Sequence, residues 1–218
     1  GYDYDLIGSN KIGDLFVKNG KLYTKHSGPH EVLVLTDTHW MLPQTIQLLD
    51  KLVHDGAKII GRQPLKSPSM QNYPSCDTEV ENLASKLWSS GLIKDLTITD
   101  YLKSNTILAD FKVEKGDATD INFIHRKTKD SNIYFIANAS KVTKELVIRC
   151  RVFSKHPKLW NAEKGTISDL VVWNANQDGT VSIPLELESE QSVFIVFNQN
   201  ADAKNQLTQA QWKIEKSN

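Results

Sequence analysis

The residues best placed for acid–base chemistry are Thr36-Asp37-Thr38-His39-Trp40, a carboxylate, two hydroxyls, an imidazole and an indole in five positions. They follow Val32-Leu33-Val34-Leu35, a run that reads as the central strand of a small parallel sheet. Ligands of open α/β sheets bind outside the carboxyl ends of the strands. A free-standing hydrolase or transferase using Asp37 and His39 would place its pocket there. The competing reading is structural: Asp37 and Thr38 satisfy backbone groups in the turn before Pro43, while Trp40 packs. No phosphate-cradling glycines accompany this loop, and Gly61-Arg62-Gln63-Pro64 does not match a dinucleotide fingerprint, so no cofactor is expected.

Other chemistry-bearing groups meet similar limits. Cys76 lies at a helix start, in Tyr73-Pro74-Ser75-Cys76-Asp77, where a thiol pKa can fall. It lacks the glycine-flanked elbow of α/β nucleophiles and a nearby histidine, so capping or packing suits it better. Cys76 and Cys150 are too few for a disulfide framework and read as unpaired buried thiols. His26 and His30 have the spacing of two metal ligands on a helix, but Gly28-Pro29 between them excludes one, and no metal site is expected. His125-Arg126 closes the run Ile121–Ile124; these donors either reach a neighbouring domain or a sugar hydroxyl, or form a solvated strand end. Trp40, Trp160 and Trp173 offer indole faces that either stack on pyranose rings or fill a core.

The elements that must position these groups change character near residue 112. Before it, Leu15–Tyr23 with Asn19-Gly20 at its middle predicts a β-hairpin. Val32–Leu35, a Pro43-initiated helix with Ile46, Leu49, Leu52 and Val53 on one face, a Gly56 stop and Ala57–Gly61 form a β–α–β unit. Val80, Leu83, Ala84 and Leu87 share the face of a second helix capped by Ser75 or Asp77. Ile98–Leu102 supplies one further short element. Beyond residue 120 only strand patterns recur: 121–124, 132–137, 145–153, 165–173, 180–188 and 192–197. Turn signals between them predict an antiparallel β-sandwich, with Pro184 marking an edge strand. The expected organisation is an α/β unit over residues 1–112 and a β-sandwich over 113–198. Residues 199–218 form a linker or the start of another domain, with an apolar group at Trp212 and Ile214.

Lysine and arginine total 26, as do aspartate and glutamate. That balance gives no electrostatic footprint for nucleic acid, and the apolar runs are too short to insert into a membrane as helices. The chain opens on Gly1 without an export-signal pattern, which leaves its compartment open.

Several strings, in order, resemble the region after the catalytic barrel in glycoside hydrolase family 106, the α-L-rhamnosidases and their relatives. They include Gly1-Tyr2-Asp3-Tyr4-Asp5, Glu31–Leu35 with Val53-His54-Asp55-Gly56-Ala57, and Ser67-Pro68-Ser69 through Tyr73–Asp77 and Leu87-Trp88. Phe123–Arg126 with Asn132–Asn138 continue the series, while Pro157–Asn161 with Gly165 and Ser192–Phe197 resemble a β-domain pattern shared more widely among glycoside hydrolases. The resemblance implies a multidomain, secreted or periplasmic enzyme hydrolysing terminal sugars of plant polysaccharides. It also implies that the α/β unit is similar to a glutamine-amidotransferase-like (flavodoxin-like) domain without its nucleophile. The barrel bearing the family's catalytic carboxylates is not in this chain, so no catalytic residue carries over. Glycoside hydrolysis needs two carboxyls held across a sugar-binding cleft, and no (β/α)₈ repeat is present to mount them. The expectation is an accessory segment, inactive alone, whose partner is the catalytic barrel of its parent chain. The alternative is a carbohydrate-binding module built on surface tryptophans.

Overall fold

A computed structural model of the chain describes residues 1–153 and 155–200. It divides into two compact units, one of Asp5–Ile107 and one of Gly1–Tyr4 together with Leu108 onward.

The first unit begins with a 3-10 helix over Ser9–Asp14, followed by β1 (Phe16–Lys18) and β2 (Lys21–Tyr23). These form an antiparallel hairpin with Lys18 opposite Lys21. Asn19 and Gly20 both have positive φ, as a two-residue primed turn requires. The parallel sheet follows: β3 (Leu33–Val34), α1 (Pro43–His54), β4 (Ile59–Ile60), α2 (Ser75–Ser89) and β5 (Ile93–Lys94), with α3 (Ile98–Ser104) after it. Pro43 opens α1. At its other end Gly56 N–H bonds to Val53 O and Ala57 N–H to Leu52 O, a Schellman closure. Ile46, Leu49 and Leu52 of α1 share a core with Val80, Ala84 and Leu87 of α2 and with Ile59 and Ile93 of the sheet.

Two expectations for this unit change. The run Val32–Leu35 contributes only two paired residues and lies at the sheet edge, because the strand order is β3-β4-β5. The centre goes to β4, whose Ile59 and Ile60 are both buried. Neither Ser75 nor Asp77 caps α2: Ser75 donates to Asn72 O, and Asp77 accepts from Ser67 N–H at 2.9 Å, tying down the proline-rich loop instead. The short element near residue 98 is helical, capped by the Thr97 side chain.

The second unit is a sandwich of two antiparallel sheets. Its strands are β6 (Phe111–Lys115), β7 (Ile121–Lys127), β8 (Asn132–Asn138), β9 (Lys144–Cys150), β10 (Lys155–Asn161), β11 (Thr166–Asp169), β12 (Asn174–Ala175), β13 (Val181–Leu187) and β14 (Ser192–Asn200). One sheet runs β11-β10-β14-β8-β7 and the other β12-β13-β9-β6. Alternate residues turn inward, and Tyr134, Ile136, Val193, Ile195 and Phe197 meet Leu146, Ile148, Val181, Ile183 and Leu185 in one core. Phe111 belongs to that core and pairs with Cys150, so a boundary at 112 cuts through β6. Gly1–Tyr4 also belongs here, with Asp110 N–H bonded to Gly1 O at 2.9 Å.

The strand expected over 165–173 ends at Asp169, and β6, β10 and β12 were not expected. Pro184 faces Val147 of β9 on one side, while β12 covers only Val181 and Ser182 on the other. At Pro184 the strand is therefore an edge in practice, where a missing N–H costs little. The expectation for 199–218 lies outside the described residues beyond Asn200.

Candidate functional site

The carboxyl end of β3 shows a turn rather than a pocket. Leu35 N–H bonds to Ile60 O, after which Thr38 N–H turns back to Thr36 O and Trp40 N–H to the Thr38 hydroxyl at 3.2 Å. The Asp37 side chain is 83% exposed and pairs with Arg62 at 3.3 Å, not with His39. An exposed pair of this kind contributes at most about 1 kcal/mol. His39 serves through its backbone, whose carbonyl accepts from Leu65 and Lys66 N–H, while Met41 N–H bonds to Lys66 O. Trp40 is thereby set in a short parallel bridge with Lys66, its indole exposed. The sheet runs in chain order, so it lacks the reversal of strand order at which α/β crevices open. Two surface hollows in this unit, one beside Tyr73 and Glu79 and one beside Trp88 and Asp95, involve neither Asp37 nor His39.

The polar concentration in the sandwich is buried. Asp110 Oδ2 meets His125 Nδ1 at 2.7 Å, and its Oδ1 accepts from Arg151 Nε at 3.1 Å and Nη2 at 2.7 Å. The other His125 nitrogen, Nε2, lies 3.1 Å from Asn132 Oδ1, and the ring stacks on Tyr134 at 4.1 Å. Burial alone would raise the Asp110 carboxyl, but hydrogen bonds and positive charge from His125 and Arg151 outweigh it and hold the carboxyl below 3.8. An Asp–His pair is the orienting half of many catalytic constellations. Here both imidazole nitrogens are occupied and one face is covered, so no nitrogen is left to accept a proton from a substrate. His125 belongs to β7 of the five-stranded sheet, while Asp110 and Arg151 flank β6 and β9 of the other. The cluster is a staple between the two sheets. His125 is thus neither a solvated strand end nor a free donor, and β7 continues through Lys127. Arg126 points outward, exposed, with Asp3 at 3.8 Å.

A buried cation, Lys144, was not apparent from sequence. Its ammonium bonds to Asp117 Oδ2 at 2.7 Å and to the Thr119 carbonyl, closing the loop between β6 and β7. These bonds hold the exposed Asp117 carboxyl well below the usual carboxylate range.

The tryptophans separate by face. Trp173 is 2% exposed, packs in the sandwich core against the edge of His156, and cannot stack on a sugar. Trp160 is on the outer face of β10, 37% exposed. Both cysteines are free and buried; the Cys76 thiol donates to Ser69 O at 3.6 Å, and burial pushes the Cys150 thiol up. His30 contacts Ser27 and Asp5 in a turn. Among the described residues no three of His, Cys, Asp and Glu converge at metal-ligand spacing.

The model of the glycoside hydrolase 106 family, described as alpha-L-rhamnosidase, matches residues 1–174. A rhamnosidase structure from Novosphingobium sp. PP1Y superposes with a TM-score of 0.83 at 26% identity, over 96% of this chain and 21% of that one. A Formosa agariphila protein named "Putative beta-glucuronidase" is 51% identical over 215 residues, 99% of this chain and 18% of that protein. The chain spans about a fifth of the length of these relatives. With four-fifths of its residues matched in order by the family's own pattern, the chain belongs to glycoside hydrolase family 106.

Proposed function

We propose that this chain is a non-catalytic accessory segment of a larger glycoside hydrolase, packing against a catalytic portion that its longer relatives carry elsewhere. The carrying observation is the asymmetry of the similarity, which spans 96% of this chain but 21% of the rhamnosidase. The chemistry agrees with it. The Asp110–His125 pair is locked between the sheets, and Asp37 stands in solvent beside Arg62. On this reading the β–α–β–α–β unit is an amidotransferase-like scaffold that has kept its parallel sheet without a nucleophile. The parent enzyme acts outside the cytoplasm and removes terminal sugars, rhamnose or a glucuronic acid, from plant polysaccharide.

The test is turnover of aryl α-L-rhamnoside and aryl β-glucuronide by the parent protein and by this chain. The parent is expected to cleave one of them and the chain neither. Turnover by the chain alone, abolished by replacing a single carboxylate, would sink the proposal.

A second reading, a carbohydrate-binding module, draws on one observation: Trp160 presents its indole on an outer sheet face. Calorimetry of this chain with rhamnogalacturonan fragments decides it, since heat lost in Trp160→Ala supports that reading and no heat removes it.

A further inference from the structure

The two outer faces of the sandwich are chemically opposite. On the four-stranded sheet, Arg149 pairs with Glu114 at 3.3 Å and Asp178 at 3.1 Å, and Ser182 donates to Glu114 at 2.7 Å. That is the polar, self-satisfied surface expected where one face of an antiparallel sheet meets water.

The five-stranded sheet departs from this. Its register places Ile167 opposite Trp160, Trp160 opposite Phe194, Phe194 opposite Phe135 and Phe135 opposite Ile124. Their neighbours along the strands, Tyr134, Ile136, Val193 and Ile195, point into the core. Strict alternation therefore sends these five to the outer face as one unbroken row across every strand. At about 4.8 Å between strands the row is roughly 19 Å long. Its ends are open, with Ile124 50% and Ile167 63% exposed. Cross-strand pairing gives such residues some local value to the sheet, but it does not require apolar side chains at both open edges. A contiguous apolar patch of this extent marks an interaction surface.

We infer that this row is the face on which the remainder of the parent chain docks, which rests on the accessory-segment reading above. The occupant is a protein surface rather than a sugar for two reasons. Phe135 and Phe194 are tilted 54° to one another at 5.1 Å, so they do not form the flat platform on which a pyranose stacks. The row also ends in isoleucines, which add apolar area without hydrogen bonds for hydroxyls. The relatives also have chain enough to supply such a surface, since about four-fifths of each one's length lies outside this segment.

Hydroxyl-radical footprinting of the full parent protein and of this 218-residue chain tests the inference. Oxidation of Trp160, Phe135 and Phe194 is expected to be several-fold slower in the parent, while Val142 and Phe153, exposed elsewhere on the same unit, change little. Protection confined to other residues of the segment, such as Trp40 and Tyr73, would overturn this surface and leave the accessory reading standing. Protection nowhere would overturn both. Protection of Trp160 in the isolated chain on adding rhamnogalacturonan fragments would overturn it in favour of a sugar. The variant Ile124→Lys with Ile167→Lys changes only half-exposed positions and spares the core. In the parent it should restore fast Trp160 oxidation several-fold, and unchanged oxidation would also overturn the inference.

Discussion

A buried carboxylate survives only when its partners are held in place, and Asp110 has two, the His125 imidazole from β7 and the Arg151 guanidinium just beyond β9. Removing it strands His125 and Arg151, so Asp110→Asn should lower unfolding stability by about 3 kcal/mol, less if Arg151 rehydrates. Denaturant titration measures that loss. The same group makes stability pH-dependent. Its folded pKa lies below the unfolded value of 3.8, so its contribution is complete above that value and is lost as pH falls through the folded pKa. Midpoints recorded from pH 6 down to about 2 should fall more steeply below pH 4 in the native chain than in Asp110→Asn. Trp173→Ala, which empties a core site, should cost about 3–5 kcal/mol, whereas Trp160→Ala should cost this chain far less. At this scale the sequence exposed the reactive groups but not their partners. His125 drew notice as a donor, yet Asp110 lies fifteen positions before it and Arg151 beyond β9. No spacing rule relates residues joined across two sheets. Trp160 and Trp173 looked alike for the same reason, since only strand register assigns a face.

At the scale of elements, local chemistry was legible wherever a local rule governs. Asn19-Gly20 specified its hairpin, and Pro43 and Gly56 bracketed the first helix. The strands of clear apolar alternation were readable to within a few residues. β10 was hidden because Lys155-His156-Pro157-Lys158 breaks alternation with charge and a proline, and the register shifts between His156 and Pro157. β3 read as a sheet centre because β-branched runs mimic doubly buried strands, although its pairing leaves one edge open. Two element-level changes should be costly. Gly116 has φ +92, and an added Cβ would lie 2.3 Å from Glu145 O, so the backbone must move. Gly116→Ala should cost about 2–3 kcal/mol, read as a lower thermal midpoint. Lys144→Met keeps the stem but removes the bonds that close the β6–β7 loop. It should cost about 1–3 kcal/mol, with faster amide exchange at residues 117–120.

For the whole molecule, the division of chemistry between two units explains why a family could be recognised while a reaction could not. Ordered strings along the chain carry ancestry, because each preserves a turn, a cap or a buried strand. Substrate choice is written in a cleft, and the relatives that share this segment carry names for different sugars. On the accessory-segment proposal, deleting the segment from the parent should lower its thermal stability more than it alters its preference among aryl glycosides. A switch of preferred sugar on deletion, measured as a change in the ratio of kcat/KM values, would show that the segment helps shape the cleft.

The return of the chain to the sandwich has a consequence for how such proteins are assembled and re-engineered. Gly1 is hydrogen-bonded to Asp110, so Tyr4 and Leu108, where the chain leaves and rejoins, are at most roughly 25 Å apart. The α/β unit is thus a cassette inserted between Tyr4 and Leu108 of its host. A flexible Gly/Ser bridge of about ten to fifteen residues spans that gap, and the sandwich core contains no residue from the cassette. Replacing 5–107 by such a bridge should leave a folded sandwich with the near-ultraviolet signal of buried Trp173. Lineages could then exchange or discard the cassette without rebuilding the host.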